Sequence, residues 1–228
     1  IRVGGDELDE AIIAANGKGD TDAAAEKIGE IPYDFSRKRL SVAVKLADGP
    51  MLICKGALNS VLDVCSGIRY RNETRELTAE SREKLAADLE RYSSQGFRVL
   101  GVATRKLASD KAITRESESG LVFEGFLLFF DPPVEGAREA IKDLARMHVR
   151  LKIISGDNRH IVAHVAEQVG FPATKVLTGG EIASMNDDAL GHAAKHTDLF
   201  AEVDPGQKER VIRALQKRGH VVGYLGDG

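Results

Sequence analysis

The sequence predicts an α+β region, an antiparallel sheet with helices, followed from about residue 122 by an α/β region built on a parallel sheet. Before residue 121, short runs of alternating apolar and polar residues are joined by turns, the pattern of strands paired as hairpins. Beyond it, short apolar strands alternate with helical patterns, the grammar of βαβ units. A chain of 228 residues, 43% of them hydrophobic, can bury one large core or two small ones.

Leu8 to Ala15 reads as a short amphipathic helix ended by Asn16-Gly17, with a loop to Asp22. Leu40–Leu46 alternates like a half-buried strand, Ala47-Asp48-Gly49-Pro50 turns, and Met51–Cys54 returns as its hairpin partner. Helices are expected over Leu58–Cys65 and Ala79–Ser94, the second with Thr78 as N-cap and Gly96 as stop. Phe97–Thr104 is a further strand. Hairpins with a few helices predict an antiparallel sheet covered on one face.

In the second region Leu121–Phe130 is a strongly apolar strand. Strand 151–154 then leads to helix 159–169, strand 175–177 to helix 187–196, and strand 199–201 to helix 207–217. A last strand is expected over 220–225, before Gly226-Asp227-Gly228.

With 32 basic and 35 acidic residues the net charge is −3, which gives no broad electrostatic footprint for nucleic acid or an anionic membrane. No apolar run approaches the roughly 18 residues of a membrane-spanning helix. The first residues, Ile1 to Asp6, lack the apolar core of a signal peptide, and a start other than Met suggests a processed or excised piece. Cys54 and Cys65 form no C-x-x-C pair and read as free buried thiols in a reducing cytosolic compartment.

In an open parallel sheet, ligands bind beyond the carboxyl ends of the strands. Three predicted strand ends carry suitable residues: Asp131-Pro132-Pro133, Ser155-Gly156-Asp157-Asn158 and Gly226-Asp227-Gly228. Ser155 supplies a hydroxyl and Gly156 an approachable backbone N–H, a pair suited to a phosphoryl oxygen near a helix start. Asp227, among small neighbours, suits Mg²⁺. Lys208, opening a helix after Asp204-Pro205, can neutralise phosphate charge. Each motif alone is an ordinary turn or a solvated lysine; their order and their placement at strand ends give them weight.

In the first region Phe35-Ser36-Arg37-Lys38-Arg39 sets a ring beside three cations, an arrangement for a stacked base with Arg37 and its neighbours toward phosphates. Lys55, leaving a strand beside Gly56 and Ala57, has nothing bulky between it and a ligand. Arg98 opens another strand. Two patterns are set aside. Asp20-x-Asp22 has the spacing of a phosphatase nucleophile pair but follows no apolar strand. His160/His164 and His192/His196 have zinc-ligand spacing on a helix but no evident third ligand.

Taken together, Pro32 to Val42, Cys54-Lys55-Gly56-Ala57 and Gly96-Phe97-Arg98-Val99-Leu100 resemble the nucleotide-binding domain of P-type ATPases. Asp131-Pro132-Pro133, Ser155-Gly156-Asp157-Asn158, Asp204-Pro205 with Lys208, and Gly223 to Gly228 resemble the phosphorylation domain that follows it. The order matches the family over nearly the whole chain, and the wording is most like the magnesium-transporting branch. The resemblance implies a nucleotide-binding domain over residues 1–122 and a partial phosphorylation domain, haloacid-dehalogenase-like, over 123–228. It implies ATP and Mg²⁺ as cofactors, with the transmembrane and actuator domains of a pump as partners, at the cytoplasmic face of the cell membrane. Phe35 would stack on adenine, Lys55 line the pocket floor, Arg98 reach the phosphates and Asp9 sit near the adenine edge. Ser155 and Gly156 would hold the phosphoryl group with Asp157 at the same edge, Lys208 would stabilise its charge, and Asp227 would bind Mg²⁺.

The sequence departs from the family in three ways. Ser155 stands where Thr is usual, which keeps the hydroxyl. Glu202 stands where many members have Arg, which removes an expected nucleotide contact. The phosphorylated aspartate of an Asp-Lys-Thr-Gly-Thr motif is absent, as is the Asn-Asp that normally follows Gly-Asp-Gly. In the family's fold that aspartate ends a central strand, so a sheet with a gap is expected, or a gap filled by another copy of the chain, and no turnover without the nucleophile. A freestanding phosphatase of the haloacid dehalogenase type and a non-enzymatic nucleotide- or zinc-binding module are the competing readings.

Overall fold

The computed structural model describes residues 11, 12, 15, 25–109, 112–171 and 175–226. Two compact units emerge: residues 1–89 with 99–129, and residues 90–98 with 130–228.

The first unit is built on a seven-stranded sheet. Its strands are β1 (Glu26–Asp34), β2 (Arg39–Leu46), β3 (Gly49–Ala57), β4 (Cys65–Tyr70), β5 (Glu73–Glu76), β6 (Phe97–Lys106) and β7 (Leu121–Phe130), in the spatial order β1-β2-β3-β6-β7-β4-β5. Helix α1 (Leu58–Leu62) and the start of α2 (Ala79–Ser94) accompany it. The pairs β1/β2, β2/β3, β3/β6 and β4/β5 are antiparallel, whereas β4 runs parallel to β7. The expected hairpin forms, with Leu46 opposite Gly49 across a two-residue turn and Gly49 at a φ of 107°, a region open to glycine.

Along β3, Leu52, Cys54 and Gly56 are buried while Met51, Ile53 and Lys55 are half-buried, so one face meets the core. Leu52, Cys54, Leu58, Val61, Leu121 and Phe123 lie at its centre. Each large apolar side chain so buried contributes about 1.5–3 kcal/mol. Strand β2 is more enclosed than its alternation predicts: Ser41, Val42, Ala43 and Val44 are all buried, so both faces are covered there.

One expectation is corrected in this unit. The helix expected to reach Cys65 ends at Leu62, and Cys65 opens β4 because its backbone pairs with β7 at Leu121. Strands β1, β4 and β5 had no clear sequence signal. The expected boundary at residue 122 falls inside β7, whereas the units part at the far end of that strand, between Phe129 and Phe130.

The second unit carries a three-stranded parallel sheet of β8 (Ile153–Ile154), β9 (Val176–Thr178) and β10 (Leu199–Ala201), in the order β8-β10-β9. Its helices are α3 (Ala137–Arg146), α4 (Arg159–Gln168), α5 (Gly179–Ser184), α6 (Asp187–His196) and α7 (Pro205–Lys217). Central strand β10 is buried throughout, and its residues serve two helix layers. Phe200 packs with Leu190 and Val211 of α6 and α7, while Leu199 and Ala201 pack with Val162 and Ala166 of α4. Asn158, Asn186 and Asp204 cap α4, α6 and α7 through their side chains, and Thr178 and Glu181 form a capping box on α5.

The strand expected over 220–225 does not form. Residues 220–226 are irregular, with Val221 and Leu225 fully exposed and only Val222 packed against the core. A strand needs a neighbour for its N–H and C=O groups, and among the described residues neither this segment nor the second edge of β8 has one.

Candidate functional site

In the first unit the turn between β1 and β2 holds Phe35 out in solvent, 76% exposed. Asp34 builds that turn. Its Oδ1 accepts the backbone N–H groups of Ser36 and Arg37 at 2.8 and 3.1 Å and the Ser36 hydroxyl at 2.5 Å. The Ser36 and Arg37 hydrogen bonds outweigh a small effect of burial and hold the Asp34 carboxyl well below the usual carboxylate range. Lys38 closes the turn at a φ of 49°. The ring of Tyr33 meets that of Phe35 edge-on with centroids 5.5 Å apart, which gives the exposed ring an aromatic brace.

Register places Lys55-Gly56-Ala57 beside this turn. Lys55 lies opposite Leu40 and Gly56 opposite Arg39, and the N–H of Ala57 donates to the Lys38 carbonyl at 2.9 Å. A Cβ on Gly56 would run into the Lys38 carbonyl oxygen and lie 2.6 Å from Arg39 Cα, so the glycine here permits a close approach of two chains. Lys55 projects from the half-buried face of β3, opposite the face that enters the core.

Arg37 is placed differently from the solvent-facing cation that its motif suggests. Its Nη1 donates to both oxygens of Glu118 at 2.8 and 2.7 Å, and its Nη2 donates to the Pro32 carbonyl at 2.7 Å. Arg39 Nε and Ser41 Oγ also donate to Glu118, at 2.9 and 2.7 Å. Burial alone would raise the Glu118 pKa, but the bonds from Arg37, Ser41 and Arg39 outweigh it and leave the carboxyl below its ordinary value. Sequence reasoning missed Glu118, and no local signal marks it.

In the second unit Ser155, Gly156 and Asp157 sit at the carboxyl end of β8, directly before α4. The loop is pinned at both ends: Ser155 N–H donates to the Phe200 carbonyl at 2.9 Å, and Glu202 N–H to that of Asp157 at 2.8 Å. The Ser155 hydroxyl accepts the Asp157 N–H at 3.0 Å and donates to the Asp157 carboxylate at 2.9 Å. Arg98 donates to the same carboxylate through Nε and Nη2, at 3.1 and 3.2 Å. Two expected site residues, Arg98 and Asp157, are therefore brought together. At Gly156 a Cβ would meet only the Val203 carbonyl, at 3.6 Å, so packing does not demand a glycine there.

Lys208 lies in the first turn of α7 and lines a groove of about 830 Å³. The groove runs between residues 148–154 and the irregular segment 220–226, with Ile212 and Leu215 on its floor. Glu202 adopts a φ of 59°, and its carboxylate faces the Arg159 N–H at 3.4 Å. Asp9 and Asp227 lie outside the described residues, as does the Asp20/Asp22 pair. The described residues contain no group of three His, Cys, Asp or Glu side chains placed to hold a metal ion, and His192 and His196 instead stack edge to face. No helix among them is long and apolar enough to cross a membrane. Cys54 and Cys65 are both free and buried, and burial pushes the Cys65 thiol up to about 12.

Residues 3–136 match the family model described as P-type ATPase, cytoplasmic domain N. The chain is 40% identical over 205 residues to the magnesium-transporting ATPase, P-type 1, of Escherichia coli strain K12, an alignment covering 89% of this chain and 23% of that protein. A magnesium-transporting ATPase, P-type 1, of Salmonella typhimurium strain LT2 is 41% identical over 213 residues, covering 91% of this chain and 24% of the relative. A calcium-transporting ATPase of Listeria monocytogenes is 28% identical over 232 residues, covering 98% and 26%. The chain thus spans about a quarter of the length of these relatives.

Proposed function

The chain belongs to the P-type ATPase family, of which it carries the cytoplasmic domain N, and from that premise we propose that it is the ATP-binding part of a cation-transporting pump, of the magnesium-transporting kind. The observation that carries this reading is Phe35. A large apolar ring left in water at the tip of a tightly hydrogen-bonded turn serves no packing purpose, whereas it offers a stacking face to a base. Lys55 and Gly56 flank the same turn by register. The higher identity to magnesium than to calcium transporters supports the choice of branch.

The second unit reads as part of a haloacid-dehalogenase-like phosphorylation domain. Supporting this are its parallel sheet, the Ser155-Gly156-Asp157 loop at a strand end before a helix, and Lys208 at a helix start. The groove along the free edge of β8 supports a place for a further strand, which in the whole protein would carry the phosphorylated aspartate that this sequence lacks. There the aspartate takes the γ-phosphoryl of ATP, ADP leaves, and water later hydrolyses the aspartyl phosphate. Ser155, Gly156 and Lys208 hold the transferring group and neutralise its charge. Asp227 would hold Mg²⁺, which would supply further neutralisation of phosphate charge. Without the nucleophile this chain binds nucleotide and does not turn over.

The test is an ATP titration followed by backbone amide NMR, beside Lys55→Ala and a p-nitrophenyl phosphate assay. A Kd on the order of 0.1–5 mM is expected, about −5 to −3 kcal/mol. Shifts should cluster around Phe35 and Lys55 and disappear in the variant. No shifts at several millimolar ATP, or phosphatase turnover by the chain, would contradict this reading.

A further inference from the structure

Glu118 is the one carboxylate whose side chain is fully buried in the ion pairs of the described residues, at 0% exposure. Removing a carboxylate from water is costly unless its oxygens are fully engaged. Here they accept four hydrogen bonds from three side chains: two from Arg37 and one each from Arg39 and Ser41, all within 2.9 Å. The three donors come from one short stretch. Arg37 lies inside the turn that presents Phe35, Arg39 begins the strand leaving it, and Ser41 follows on that strand. Glu118 comes from 81 residues further along the chain than Arg37, in the link between a short 3₁₀ turn (Arg115–Ser117) and β7. The 3₁₀ turn itself sends Arg115 back to the Asp34 carboxylate at 3.2 Å. The turn is therefore clamped on both sides, from within by Asp34 and from below by Glu118.

We propose that Glu118 is a positioning residue for the nucleotide site, fixing the Phe35 turn through Arg37, Arg39 and Ser41 so that the ring is already oriented before a base arrives. Preorganisation of this kind improves affinity by removing the ordering that binding would otherwise require. Glu118 itself touches no ligand. The inference rests on the reading of Phe35 as the stacking platform.

A double-mutant cycle on the whole chain tests it, with Phe35→Ala, Glu118→Gln and the combination, at a temperature where all remain folded. Titrations use ATP, adenosine and inorganic triphosphate. Glu118→Gln keeps the shape and removes the charge, and is expected to weaken ATP and adenosine binding about ten-fold while leaving triphosphate binding unchanged. In the Phe35→Ala background the same substitution should have no further effect, since neighbours that act as a unit are not additive. Additive losses, an equal loss for triphosphate, or unchanged ATP affinity in Glu118→Gln would overturn the inference. Full ATP affinity in Phe35→Ala alone would instead overturn the stacking platform, and the inference with it. If Glu118→Gln does not fold, Ser41→Ala removes one of the four bonds. A two- to three-fold loss confined to ATP and adenosine then supports the proposal, and no loss refutes it.

Discussion

Arg98 and Asp157 meet through two hydrogen bonds, at 3.1 and 3.2 Å, within the unit that carries the Ser155-Gly156-Asp157 loop. The arginine that the family resemblance assigns to nucleotide phosphates is thus occupied by a carboxylate from the Ser155-Gly156-Asp157 loop. Both side chains remain partly in solvent, 41% and 30% exposed. Pairs of that kind contribute roughly 0–1 kcal/mol. Asp157→Asn should therefore leave thermal stability nearly unchanged and free the guanidinium for phosphate. ATP affinity, measured by NMR titration, is expected to rise by at most about five-fold, the equivalent of 1 kcal/mol. Unchanged or weaker binding would argue that Arg98 does not take phosphate.

Phe35→Ala separates function from stability. The ring is three-quarters exposed, so removing it should shift the unfolding free energy by no more than about 0.5 kcal/mol. Loss of a stacked base should weaken ATP binding by about 1–3 kcal/mol. Thermal unfolding and ATP titration on the same sample check both halves. A marked fall in stability with unchanged ATP affinity would make Phe35 a structural ring.

The difference between Phe35 and Glu118 shows what the sequence could reveal. Phe35 and Lys55 were legible because their neighbours in sequence build their surroundings: Asp34 pins the turn, and Gly56 lets the strand that carries Lys55 run close beside it. Glu118 sits in Glu116-Ser117-Glu118-Ser119, which reads as a solvated acidic loop. The groups that bury it lie 77 to 81 residues away. Strands follow the same logic. Met51–Ala57 alternates because one face meets the core, whereas in Glu26–Asp34 only Ile31 is buried and in Glu73–Glu76 every residue is exposed, so pairing alone makes them strands. Conversely, 220–225 has the apolar run of a strand but no neighbour to pair with among the described residues.

Asp198 gives the second unit an acid-sensitive anchor. Arg150 donates to its two oxygens at 2.8 and 2.9 Å, and Lys152 to Oδ1 at 2.8 Å. Burial would raise the Asp198 pKa, but the bonds from Arg150 and Lys152 outweigh it and hold the carboxyl below its ordinary value. Lys152 shows the opposite balance, since burial lowers its pKa more than Asp198 raises it. Arginine, charged at every accessible pH, therefore carries the favourable part. A carboxyl with a depressed folded-state pKa contributes stability that is complete above its unfolded value, about 3.9, and lost as pH falls through the folded one. Tm should hold above about pH 5 as far as this group is concerned and decline below pH 4. Asp198→Asn should cost about 1–3 kcal/mol at neutral pH and make the acid decline shallower. An equally steep decline in the variant would place the acid sensitivity elsewhere.

Two glycines in the candidate sites should respond oppositely to a methyl group. At Gly56 a Cβ would collide with backbone, the Lys38 carbonyl and the Arg39 Cα, and backbone cannot swing aside as the end of a side chain can. Gly56→Ala must push β2 and β3 apart at the base of the Phe35 turn, with an expected loss of about 1–3 kcal/mol. Amide shifts should spread over residues 34–41, and ATP affinity should fall with the turn's geometry. At Gly156 the same methyl meets only the Val203 carbonyl at ordinary contact distance, 3.6 Å, so Gly156→Ala should stay within about 0.5 kcal/mol of the parent. That outcome would leave the approach of a ligand to the backbone N–H at this helix start as the use proposed for Gly156. Equal destabilisation by the two substitutions, measured by denaturant unfolding, would show that Gly156 is held by packing after all and would remove that support for a phosphoryl group at this loop.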